Sequence, residues 1–214
     1  MRLRYSAAEE LANALTHALG IVLSAIGLIV LIVIAGLMDA GKVAIISCAV
    51  YGVTLIALYT ASTLYHSTCA PASKSLLRTL DHLAIFLLIA GTYTPFVLIA
   101  LPVVWSWLLF GVIWSLAAVG VALELTALRR FRGAMVALYI AMGWVALVAI
   151  KPLVEAVPAG GLWLLFGGGV SYTFGVLFYQ WRGLRYHHAV WHLFVLGGSV
   201  LHYFAILFYV LPLA

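Results

Sequence analysis

Acidic side chains are scarce in this sequence: six among 214 residues, against eleven basic ones. Charged residues make up 8% of the chain and hydrophobic ones 66%. A soluble domain of this size is excluded, because a water-facing surface needs charge and the interior is too small to hide so much apolar area. The chain therefore reads as an integral membrane protein. Only two cysteines occur, and Cys48 and Cys69 sit at opposite ends of one apolar run, about 30 Å of helix apart. That distance is far beyond disulfide reach. No stretch shows the ~10-residue alternation of an outer-membrane barrel. Low-complexity segments, long linkers and internal repeats of the inverted-transporter kind are also missing, so a single domain over 1–214 is expected.

What is present is a series of long apolar runs. A membrane-crossing helix needs about 20 apolar residues. Runs of that kind are read at 15–37, 43–66, 80–100, 103–125, 133–151, 160–181 and 188–211, giving an all-α bundle of seven transmembrane helices. The first run follows Arg2 and Arg4 but exceeds the ~7–15-residue core of a signal peptide and lacks a clean cleavage site. Residues 1–14 differ in character. Ser6 followed by Glu9 reads as a capping box, which suggests a short interfacial helix leading into the first crossing.

Nine of the eleven basic residues fall before the first crossing or in alternate loops, leaving Lys42 and Lys151 on the other side. The positive-inside rule then puts the N-terminus in the cytoplasm and the C-terminus outside. The net charge of +5 follows from this asymmetry and the anionic inner leaflet, so it gives no reason to invoke nucleic acid. The Gly runs at 167–169 and 197–198 suit close helix approach.

Ionisable side chains within a membrane are expensive and mark functional sites. Here they share a depth. The second crossing ends in "STLYHS", where Ser62 and His66 are one turn apart on one face. The third starts with Asp81 and His82. The seventh starts with His187, His188 and His192, of which His188 and His192 stand at i, i+4, the spacing by which a helix gives two nitrogens to one metal. His187 faces about 100° away and reads as a bystander. Glu10, Asn13 and His17, at i, i+3, i+7, form a third stripe to which spacing assigns no role. Three imidazoles with an open position match a catalytic zinc site, although imidazole also suits copper, iron or nickel. Asp81 is placed to ligate the metal, to hold its water or to orient a histidine, and spacing leaves these open. His202, about 15 Å deeper than His192, reads as a hydrogen-bonded core histidine. Glu124 is expected to pair with Arg129 and Arg130.

The segments "EELANALTHALG" (9–20), "STLYH" (62–66), "LDHLAIFLLIAGTYTPF" (80–96) and "HHAVWHLFVLGGSVLHY" (187–203) resemble the signatures of the hemolysin III-related membrane proteins. These form the bacterial branch of the progestin and adipoQ receptor family. The resemblance covers essentially the whole chain. It implies a seven-helix bundle with a cytoplasmic N-terminus and a zinc ion held by His66, His188 and His192. It also implies that Asp81 approaches the metal through a water and that Ser62 belongs to the pocket.

The expectation that follows is a zinc-dependent intramembrane hydrolase of a lipid amide or ester, with Asp81 and Ser62 catalytic and a membrane lipid as partner. A zinc-stabilised sensor of lipid state without turnover is the alternative. A pore former ranks third, since seven apolar helices with few charges do not suggest an aqueous channel.

Overall fold

A computed structural model describes residues 5–214. Helix α1 spans Ala7–Leu37, α2 Gly41–Ser67, α3 Pro71–Pro95, α4 Val103–Glu124, α5 Arg132–Gly143, α6 Ile150–Ala156, α7 Ala159–Gln180 and α8 His187–Ala205. Short turns extend α3 to Ala100 and α8 to Leu213, and join α5 to α6, so that seven helical segments are long and apolar enough to cross a membrane. No strand occurs among the described residues.

The first helix shows how such a chain orders itself without water outside. Leu11, Leu15, Leu19, Val22, Ile26, Ile29 and Val33 are exposed, whereas Asn13, His17, Gly20, Ser24, Gly27, Leu31 and Ala35 are buried. Both stripes recur every three or four residues, the helical period. Apart from Leu31, large apolar side chains in these stripes face outward and polar or small ones face the bundle, as lipid demands. Gly20 lets Tyr59 of α2 lie directly on the α1 backbone, where a Cβ would stand 2.5 Å from the ring. Gly168 likewise admits His202, and Gly198 admits Tyr172, so both glycine runs bring α7 and α8 together.

Three boundaries differ from the sequence reading, the fifth span running on to Ala156 rather than ending near 151. The Ser6–Glu9 capping box forms, with Glu9 N donating to Ser6 Oγ at 3.3 Å, but α1 then runs unbroken to Leu37. Residues 7–14 form its first turns and run directly into the first crossing, because no Gly or Pro interrupts them and their polar stripe continues on the same face. Residues 1–4 lie outside the described residues. Helix α3 starts at Pro71 rather than near 80, since proline is preorganised for a first turn. Lys74 and Arg78 thus lie on the helix instead of in a loop.

Near mid-membrane the fifth span breaks: α5 stops at Gly143, and Val145–Ala149 follow as a tighter turn. Broken helices survive in lipid only where the released backbone groups find partners. Tyr93 supplies them, donating to the Gly143 carbonyl at 2.9 Å and accepting from Ala146 N at 2.8 Å. The indole N–H of Trp144 donates to Thr173 Oγ1 at 3.0 Å. Pro95 interrupts α3 similarly: the chain widens over Phe96–Ala100, and Ser106 of α4 donates to the Val97 carbonyl.

Candidate metal centre

Helices α2 and α8 bring the sequence-selected histidines together at one end of the bundle. His66 comes from the last turn of α2, and His188 and His192 come from the first two turns of α8. One ligand nitrogen from each lies within 4.8 Å of the others, and all three residues are buried. Nitrogens around a four-coordinate zinc stand roughly 3.3 Å apart, given Zn–N of about 2.0–2.1 Å, so a small inward movement of the rings closes the site.

Hydrogen bonds fix which nitrogens face inward. Nδ1 of His66 lies 2.6 Å from Oε2 of Glu10. A carboxylate only accepts, so Nδ1 carries the proton and Nε2 keeps its lone pair. Nδ1 of His192 donates to the Asn13 carbonyl at 3.1 Å, with Thr16 Oγ1 also at 3.1 Å, which leaves its Nε2 as the lone-pair nitrogen. Both Nε2 atoms are buried without a hydrogen-bond partner. Paired buried lone pairs beside a third imidazole are costly unless something electropositive takes them, and carboxylate or carbonyl support behind each ring is how metal-binding histidines are held. The donor set fits a metal ion.

Other side chains complete the surroundings. His17 stacks on His192 with ring centroids 3.5 Å apart and an interplanar angle of 13°. Tyr5 lies over His188 at 5.1 Å, and Trp191 at 4.9 Å. Glu10 is shared, since its Oε1 accepts from Lys74 Nζ at 2.7 Å. Oε1 of Glu9 accepts from the backbone N–H of Tyr186 at 3.2 Å, tying the start of α8 to α1. The stripe Glu10, Asn13 and His17 was visible in the sequence, but its role was not. Thr16 and Tyr5 gave no signal, since a Thr on a helix and a Tyr near a terminus are ordinary.

Asp81 is buried among Ser62, His66, His82 and Arg78. It stands outside the three-histidine group, and Ser62 is buried beside it at 1% exposure. His187 points away, its Nδ1 donating to the Phe178 carbonyl at 2.9 Å. Glu124 does not pair with Arg129 or Arg130. Its Oε1 meets His82 Nδ1 at 3.0 Å and Arg132 Nη1 at 3.2 Å, because the side chain turns into the bundle (1% exposed), whereas Arg129 reaches Thr79. The cysteines are free.

A cavity of about 160 Å³ opens beside this centre, lined by His17, Asp81, His82 and His188 at one end and by mostly apolar residues beyond. A second, of about 370 Å³, occupies the other half of the bundle.

The family model described as haemolysin-III related matches residues 5–203. The chain is 48% identical over 206 residues to Hemolysin-3 of Bacillus cereus, covering 96% of this chain and 94% of the relative. It is 42% identical to the Hemolysin-3 homolog of Bacillus subtilis (strain 168), with 94% of each covered. The human Monocyte to macrophage differentiation factor is 30% identical, over 92% of this chain and 83% of the relative.

Proposed function

The chain belongs to the haemolysin-III-related family, and from that premise and the buried centre we propose that it is a zinc-dependent hydrolase of a lipid amide or ester within the membrane. The observation that carries the reading is the convergence of the His66, His188 and His192 nitrogens, with His188 and Asp81 both lining one end of a mostly apolar cavity.

Zinc on three imidazoles supplies a Lewis acid that polarises a carbonyl and lowers the pKa of water. The protein's own groups do the rest. Asp81 accepts the proton of the water that adds to the lipid carbonyl carbon. Ser62, one turn from His66, donates to the oxygen on which negative charge develops. The C–N or C–O bond then breaks, and the proton held by Asp81 passes to the departing amine or alkoxide. The acyl chain lies in the apolar part of the cavity. Among the described residues, Lys74, Arg78, Arg129, Arg130, Arg132, Arg182 and Arg185 fall on the histidine side of the spans, which supports assigning this chemistry to the cytoplasmic face of a bacterial inner membrane by the positive-inside rule.

A second reading has one specific observation in its favour. Glu10 joins α1 to α2 and α3 through His66 and Lys74, while the Asn13 carbonyl joins α1 to α8. A metal there would also act as a clamp on four helices, in a sensor of lipid state without turnover.

The test is purified, metal-replete protein incubated with N-acyl and ester lipids, with fatty-acid release followed by mass spectrometry. Release that stops in Asp81→Asn supports the hydrolase. A full complement of zinc with no release from any inner-membrane lipid favours the clamp.

A further inference from the structure

His202 lies ten residues beyond His192 on α8, about 15 Å deeper by helical rise, and takes no part in the metal centre. It is 7% exposed. Nε2 donates to the Leu165 carbonyl at 3.0 Å. A carbonyl only accepts, so Nε2 carries the proton and Nδ1 presents a lone pair. That nitrogen is buried and has no partner.

The place is built to hold the ring in this way. A Cβ at Gly168 would stand 2.2 Å from Cδ2 and 2.3 Å from Nε2 of His202. The Nε2–Cδ2 edge therefore rests on α7, and Nδ1 lies on the edge away from that backbone. Six residues line both cavities, and His202 is one of them; the others are Thr92, Tyr93, Gly143, Trp144 and Gly169. His202 thus stands where the metal-side cavity meets the deeper one.

The donors at this junction are already used. The Tyr93 hydroxyl donates to the Gly143 carbonyl, the Trp144 indole to Thr173, and the Thr92 hydroxyl to the Leu88 carbonyl. What remains is acceptor capacity: Nδ1 of His202 and the lone pairs of Thr92 Oγ1. An apolar chain passing through cannot satisfy a buried acceptor, and leaving it bare is unfavourable. A ligand that carries its own donor at this depth can.

We propose that the junction of the two cavities is a recognition site for a hydroxyl borne partway along an alkyl chain, with His202 Nδ1 accepting its hydrogen bond and Thr92, which lines the same junction, as a second acceptor. The preferred lipid then has a polar linkage at the metal centre, a mid-chain hydroxyl at His202 and an apolar tail in the deeper cavity. This deepens the hydrolase reading, and it rests on that reading's placement of an acyl chain in the cavity.

The probes are oleate and ricinoleate, which differ by one mid-chain hydroxyl. Their binding to the purified full chain is measured by displacement of a fluorescent fatty acid in a neutral detergent, alongside metal content. Ricinoleate is expected to bind about tenfold tighter, the size of one net hydrogen bond. His202→Phe brings the ratio to about one by weakening ricinoleate, with metal content and thermal midpoint as the controls for folding. Thr92→Val lowers the ratio in the same direction. Equal affinities for the wild-type protein overturn the hydroxyl site and leave the acyl cavity standing, as a junction that holds only water would give. A preference that persists in His202→Phe overturns the assignment to His202. Binding of neither probe overturns both this site and the acyl placement.

Discussion

The Glu10 carboxylate and the His66 imidazole meet at 2.6 Å across helices α1 and α2, and this contact decides which nitrogen of His66 faces the centre. With the proton held on Nδ1, the lone pair of Nε2 turns inward beside that of His192. Glu10 is thus a positioning residue: it sets the tautomer and angle of a candidate metal ligand.

Glu10→Gln keeps an acceptor near Nδ1 but removes the charge. Zinc affinity is expected to fall by about 10–100-fold, the usual effect of losing such support. Competition against a chromophoric chelator measures it. An unchanged affinity would mean that His66 is oriented by packing and by the Asn13 amide, whose Nδ2 stands 3.4 Å from the same Nδ1.

Removal of a ligand has a larger effect. His188→Ala and His192→Ala should each take the purified protein from about one zinc per chain to almost none, read by elemental analysis. Metal content at the wild-type level in both variants would refute the centre.

Asp81→Asn separates holding the metal from using it. Since Asp81 lies outside the three-histidine group, the variant should keep its zinc and its thermal stability while fatty-acid release is lost. Loss of zinc instead would make Asp81 a ligand rather than a proton acceptor.

Helix α4 offers an internally controlled test of packing. A Cβ at Gly120 would stand 2.2 Å from the Phe86 ring, whereas nothing lies within 4 Å at Gly111. Gly120→Ala is expected to destabilise by roughly 1–3 kcal/mol through overpacking. Gly111→Ala should be neutral or stabilise by about 0.5–1 kcal/mol, since alanine favours helix. Thermal unfolding in detergent compares them, and equal midpoints would mean that α3 and α4 are not held at this distance.

Arg132→Met tests the cluster that the sequence misassigned. Glu124 is 1% exposed and relies on Arg132 and His82. Withdrawing the guanidinium leaves a carboxylate under-satisfied and should cost roughly 1–3 kcal/mol. Arg129→Met, which removes only a contact to Thr79, should change stability by less than about 0.5 kcal/mol.

The sequence by itself determined the seven spans, because each apolar run is long enough for the membrane and each polar break is short. It also determined the helix faces, since His188 with His192 and Ser62 with His66 follow from 3.6 residues per turn. Periodicity says nothing about distance between helices, so only the tertiary structure decided that Glu10 of α1 would reach His66 and that the Asn13 carbonyl would receive His192. The same limit explains Glu124: its nearest cations in sequence, Arg129 and Arg130, are on the surface, while the side chain turns inward to His82 and Arg132. The break after Gly143 was equally illegible, because the groups that satisfy it belong to Tyr93, fifty residues earlier. Covalent spacing fixed which nitrogens share a face, and long-range packing fixed which of them are protonated, supported and left facing one another.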